Sequence, residues 1–144
     1  MFDHFYLHFE TMPKGTSQQK GIRISKGKAH FYDKGNIEAA KKEFINALKE
    51  HKPARPAEKP VKLVVWFAFD VKDKKLWGKP KPTRPDTDNY LKLFKDCMTD
   101  VGFWLDDAQV VDEHVYKTYA EKACISVRWE EINNEYWRTL RNDQ

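Results

Sequence analysis

The chain reads as an α+β protein, a small mixed β-sheet with two main helices packed on it. Two patterns and one bound carry that reading. Residues 61–71 carry an apolar side chain at every odd position, and residues 123–130 alternate apolar with mostly polar positions, as strands do. Residues 36–50 and 88–101 place apolar side chains at helical spacing. The length of 144 residues suits a single domain over 1–144 and leaves no room for two full ones.

Each element follows from local chemistry. Phe5, Leu7 and Phe9 alternate with His4, Tyr6 and His8, so residues 4–10 form a first strand. Met12 to Gln19 is a polar loop, and Arg23 to Phe31 holds one or two short strands around Gly27. Asn36 is placed to cap a helix whose apolar positions are Ile37, Ala40, Phe44, Ala47 and Leu48. Pro53, Pro56 and Pro60 end it. In 61–71 every odd position is apolar, and Val64, Trp66 and Ala68 extend apolar character to the other face, which predicts a central, doubly covered strand. A basic loop with Pro80, Pro82 and Pro85 held extended follows. The second helix starts near Asp88, buries Leu91, Phe94, Met98 and Val101, and stops at Gly102. Gln109–Tyr119 and Ala123–Glu130 are the closing strands, and 132–144 is a short helix or a loose tail.

Composition excludes several classes. No apolar run approaches the ~20 residues of a membrane span, the start of the chain shows no basic-then-apolar leader, and the expected location is the cytoplasm. Cys97 and Cys124 are too few for a disulfide framework and too isolated for structural zinc. No Walker loop or GxGxxG occurs, so no nucleotide cofactor is expected. The net charge of +4 is unevenly spread. Lys14, Lys20, Arg23, Lys26, Lys28 and Lys34 face only Asp33, and Lys72, Lys74, Lys75, Lys79, Lys81 and Arg84 face only Asp73. Carboxylates gather at 86–113. Basic loops around an acidic centre fit a polyanion held near a metal pocket, although solvated Lys-rich loops have the same composition.

The centre is Asp86-Thr87-Asp88-Asn89, Lys92 and Asp106-Asp107. Phosphodiester hydrolysis at neutral pH benefits from a metal that activates water and offsets charge on the phosphate, and Mg²⁺ takes hard carboxylate oxygens. Asp86 and Asp88, two apart in extended chain, can point to one side, and a helix N-terminus favours their ionised form. A helix over 88–101 is about 21 Å long at ~1.5 Å per residue. The six residues from Gly102 to Asp107 reach roughly 20 Å at ~3.3 Å each. Asp107 therefore returns to Asp86 and Asp88 only if the chain doubles back along the helix, with Phe103, Trp104 and Leu105 packing on it. Lys92, one turn after Asp88, sits on the same face, and Lys95 continues the positive stripe. The plainer alternatives remain open. Asp88 can cap the helix and pair with Lys92, and Asp106-Asp107 can be a turn. The aromatics Trp66, Phe67, Phe69, Phe94, Trp104 and Trp129 fall on core periodicities, and the histidines have no ligand spacing.

The stretches Lys81-Pro82-Thr83-Arg84-Pro85-Asp86-Thr87-Asp88-Asn89 and Gly102-Phe103-Trp104-Leu105-Asp106-Asp107-Ala108-Gln109-Val110-Val111 resemble the RusA-type Holliday-junction resolvases, including the spacing between the acidic clusters. Residues 1–60 resemble the family more loosely, with one proline in 12–19 where two often stand together. The resemblance implies a homodimeric endodeoxyribonuclease, often phage- or prophage-borne, that makes paired symmetric nicks in four-way junctions with Mg²⁺ or Mn²⁺. It implies that Asp86, Asp88 and Asp107 are catalytic metal ligands, with Asp106 a further candidate, and that Lys92 is the catalytic lysine. Two other activities suit the same residues: a non-catalytic DNA-binding module, or a nuclease for flaps, forks or duplex. The DNA-binding set is Lys14, Lys20, Arg23, Lys72, Lys74, Lys75, Lys79, Lys81, Arg84 and Lys95.

If the basic loops hold phosphates, DNA affinity falls steeply with salt, with a slope of about −0.9 per phosphate contacted in a log–log plot. A flat plot from filter binding or anisotropy would remove the loops from the interface.

Overall fold

A computed structural model describes residues 1–15, 23–25, 28–30 and 34–142. The strands are β1 (Phe2–Phe9), β2 (Arg23–Ser25), β3 (Lys28–His30), β4 (Val61–Asp70), β5 (Val110–Ala120) and β6 (Ala123–Glu131). The helices are α1 (Lys34–Leu48), α2 (Thr87–Val101) and α3 (Asn134–Asn142). Four strands form one sheet in the order β1-β6-β4-β5, and β2 and β3 form a separate antiparallel pair. β6 runs antiparallel to both β1 and β4, whereas β4 and β5 are parallel. This is the expected mixed sheet, with β4 central. Two parallel neighbours cannot be joined by a tight turn, so the chain between them must cross over, and α2 is that crossover.

Sheet register puts Leu63, Val65, Phe67 and Phe69 of β4 beside Ile125, Val127 and Trp129 of β6, with Phe5 and Leu7 of β1 beyond them. α1 and α2 cover this face. Tyr90, Leu91, Phe94, Cys97, Met98 and Val101 are buried along α2, the predicted stripe plus three further positions that include Leu93. Phe44 of α1 meets Phe94 edge-on at 5.2 Å, and Phe94 meets Phe67 at 5.7 Å. Tyr90 meets Phe67 at 4.8 Å. Burying each such ring contributes about 1.5–3 kcal/mol, and the edge-to-face geometry adds ~0.5–1.5 kcal/mol per pair.

Several expectations change. α1 begins at Lys34, ahead of Asn36, and passes into a 3-10 turn over Lys49–His51. Residues 134–142 are a helix; Asn133 Oδ1 accepts the Tyr136 N–H at 3.1 Å. The second face of β4 is not closed over. Trp66 is 45% exposed there, stacked on Tyr116 at 4.9 Å and donating to Thr118 Oγ1 at 2.8 Å. Its even position places it opposite the helix-covered face, so it is no core residue. Among the described residues, no helix is long and apolar enough to cross a membrane.

α2 stops as its sequence predicts. Gly102 takes φ +107°, and its N–H reaches Met98 and Thr99 carbonyls at 3.1 Å. Gly102→Ala should lower unfolding stability by ~1–2 kcal/mol, because an L side chain is strained at that φ. Urea denaturation checks this, and an unchanged midpoint would mean that the cap relaxes freely.

Candidate active site

The chain enters α2 through a basic arm that the sheet organises. Residues 78–81 lie antiparallel to the end of β5: Gly78 donates to the Tyr119 carbonyl at 2.8 Å, Tyr119 to Lys79 at 2.9 Å and Lys81 to Lys117 at 3.1 Å. The Arg84–Pro85 peptide is cis. Lys117 Nζ donates to the carbonyls of Thr83 at 2.6 Å and Pro85 at 2.7 Å, so one side chain clamps the arm immediately before Asp86. Burial and the neighbouring Lys81 charge lower the Lys117 pKa, while Asp86 opposes them. Lys117 had no place among the predicted site residues. The available signal was parity: Lys117 shares the helix-facing side of β5 with Val115 and sits beside Phe67, an unusual place for a lysine.

Asp86, not Asp88, occupies the N-cap of α2, and its carboxylate accepts no capping hydrogen bond. Asp88 lies in the first turn, and both are exposed. Both carboxylates therefore stand open to solvent at the positive end of the helix dipole.

The return from Gly102 is built by packing and by one glutamine. Phe103 and Trp104 are fully buried, and Trp104 Nε1 donates to Thr99 Oγ1 at 2.8 Å. Ala57 donates to the Phe103 carbonyl at 2.9 Å. Leu105 is 64% exposed, so it does not pack on the helix as expected. Gln109 Oε1 accepts the Leu105 and Asp106 N–H groups, and Gln109 Nε2 donates to the Ala57 and Lys59 carbonyls. Asp106 accepts the Ala108 N–H at 2.9 Å, closing a capping box around the 3-10 turn Asp107–Gln109. Gln109, also absent from the predicted site, thus holds the turn that presents Asp107.

This return brings Asp107 to the second turn of α2. Lys92 Nζ lies 3.3 Å from Asp107 Oδ2 and 2.9 Å from Asp96 Oδ1. The ammonium thus rests on Asp96 and Asp107, and its partner at i+4 is Asp96. Lys95 pairs with Glu113 at 2.9 Å, which offsets its charge. Lys14, Lys72, Lys74, Lys75, Lys79 and Arg84 are exposed, and Lys81 is half-buried over the rings of Phe69 and Tyr119. Lys20 and the side chain of Arg23 lie outside the described residues.

Among the described residues, no three Asp, Glu, His or Cys side chains are gathered as a metal cage. Mg²⁺ does not require one, since it is usually held by one or two carboxylates with waters and substrate oxygens. The carboxylates of Asp86 and Asp88 at the helix N-terminus, and of Asp107 where it pairs with Lys92 at the second turn, are donors of the right hardness for such an ion.

An α+β sheet with an acidic helix entrance and a basic arm defines a protein suited to binding a polyanion next to carboxylates. The comparisons name which. The profile described as "Endodeoxyribonuclease RusA" matches residues 10–130. A Lactococcus phage r1t protein named crossover junction endodeoxyribonuclease rusA is 38% identical over 132 residues, covering 89% of this chain and 97% of that protein. The Escherichia coli K12 protein of the same name is 32% identical over 107 residues, covering 74% and 79%. A Bacillus subtilis protein, YqaN, is 30% identical over 121 residues, covering 76% and 84%. The chain belongs to the RusA endodeoxyribonuclease family.

Burial pushes the Asp107 carboxyl up, but the Lys92 hydrogen bond and charge outweigh it and hold the pKa below the usual carboxylate range. A depressed folded-state pKa contributes stability above the unfolded value, lost as pH falls through the folded value. Lys92 is raised, chiefly by its bond to Asp96, so its contribution is complete below its unfolded pKa and lost as pH rises through the folded one. The pairing should therefore persist across neutral pH. NMR titration in EDTA should place the Asp107 midpoint below that of an unperturbed aspartate, moving upward in Lys92→Met. An Asp107 midpoint insensitive to Lys92→Met would contradict the pairing.

Proposed function

We propose that this protein is a metal-dependent, structure-selective endodeoxyribonuclease that resolves four-way DNA junctions by paired symmetric nicks. The observation that carries this reading is the family match over 10–130, with relatives named for crossover junctions that align along most of their own length. The intact acidic pattern at Asp86, Asp88 and Asp107 supports catalysis over binding alone. The similarity to a phage protein favours a phage or prophage source, and the work belongs in the cytoplasm with the DNA.

In this reading Asp86, Asp88 and Asp107 hold Mg²⁺, or Mn²⁺ in its place, with Asp106 adjacent. When bound, the ion supplies an activated water and positive charge for the phosphoryl oxygens. The chain's own residues do the rest. Lys117 holds the backbone that carries Asp86. Lys92 would exchange its carboxylate partners for the scissile phosphate, where its charge counts most in the transition state. The exposed lysines of 72–81 and Arg84 bind flanking phosphates. Two copies related by a two-fold axis match the two equivalent strands of a junction, so the active form is a homodimer.

A synthetic mobile junction and its matching linear duplex should separate the alternatives. We expect paired nicks in the junction alone, abolished by EDTA and reduced roughly 100-fold or more in Asp88→Asn. Equal cutting of the duplex would instead mean a general nuclease, and tight junction binding without cutting would leave a binding module. Lys92→Ala should lower turnover by about 100-fold with little change in junction affinity.

A further inference from the structure

At the C-terminal end of β4, two chain segments enclose an open cleft of about 660 Å³, within the roughly 300–1,000 Å³ of small-ligand sites. One wall is residues 11–15. The Asp70 carboxylate pins it to the sheet, accepting Thr11 Oγ1 at 2.6 Å and the Met12 N–H at 2.8 Å. The Tyr90 hydroxyl pins it to α2 by donating to the Pro13 carbonyl. The other wall is the arm before α2, clamped by Lys117 through Thr83 and Pro85. Because each wall is tied by its own hydrogen bonds, the opening exists before anything binds.

The lining has two characters. Pro13, Phe69, Pro85 and Tyr119 give flat apolar surface, while Lys14, Lys81 and Arg84 give positive charge. Lys81 Nζ stands 5.3 Å from the ring centroids of both Phe69 and Tyr119, a hydrogen-bond donor set against an aromatic floor. A flat ring system carrying an anion complements this combination. Asp86 also lines the cleft, so it is continuous with the carboxylates assigned to the scissile phosphate.

We propose that the cleft is a subsite for one nucleotide of the cut strand, the neighbour of the scissile phosphate. Its base lies against the part-exposed Tyr119 and Pro85, beside the buried Phe69, and its outer phosphate meets Lys14 and Arg84. The inference rests on the nuclease reading above and adds a place where a single base contributes to cutting. A continuous strand is favoured over a free nucleotide because the cleft opens onto Asp86, so a phosphate held there delivers its neighbour into the cleft.

The test is kcat/KM on junctions carrying a single abasic residue at each position on either side of the cut. For the wild type, one position should cost roughly tenfold or more, the scale of one lost base–aromatic stack, and the other positions little. Tyr119→Ala should show a similar loss on the intact junction and no further loss at that position, whereas Tyr119→Phe should behave like the wild type. Uniform tolerance of every abasic residue, or penalties that add to that of Tyr119→Ala, would overturn the subsite while leaving the nuclease reading intact. Inhibition by a free deoxynucleoside monophosphate without any abasic penalty would also overturn it, assigning the cleft to a free nucleotide. Failure of the wild type to cut the intact junction would sink the nuclease reading, and the subsite with it.

Discussion

The packing of α2 against β4 is the constraint on which the rest depends. β4 and β5 are parallel neighbours, so the chain between them must travel back along the sheet, and the apolar stripe of α2 is what lets it do so. Tyr90 and Phe94 lock onto Phe67, with Phe44 of α1 behind them. Once that interface forms, the flanks of the helix have nowhere else to go. Asp86 stands at its entrance, and the segment after Gly102 must turn back before β5 can start. Both acidic clusters are thus by-products of one crossover.

Charge is arranged by the same economy of position. Lys92 and Lys117 approach the carboxylates from different elements and do different work. Lys92 is on the helix and half-exposed, and it shares two aspartates. Lys117 is on the sheet, spends its donors on backbone carbonyls and fixes the path of the arm. The exposed lysines of 72–79 have no such structural duty among the described contacts, apart from the turn that Asp73 caps. That division separates residues that shape the site from residues able to meet a long polyanion.

Much of this was legible from residue order. The alternation of 61–70 and 123–131 and the stripe of 87–101 identified strands and helix to within two residues, because one face of each is buried continuously. Gly102 was readable as a stop because few other residues accept its φ. The spacing from Asp88 to Asp107 permitted a return without requiring it. Trp66 was misleading because its neighbours Val64 and Ala68 are apolar too, and periodicity cannot tell a covered face from an open one. Leu105 was misleading because it follows two aromatics that do pack, while its own side chain falls on the solvent side.

By itself the sequence determined the elements, the core stripe and the acidic pattern that resembles one nuclease family, since those depend on residues close together in the chain. Only the tertiary structure decided that Gln109 holds the Asp107 turn, that Lys117 reaches the arm of Asp86, and that residues 11–15 close a cleft beside it. Each of these joins segments from about 30 to nearly 80 positions apart. Such partners are chosen by sheet order and register, which no local pattern encodes.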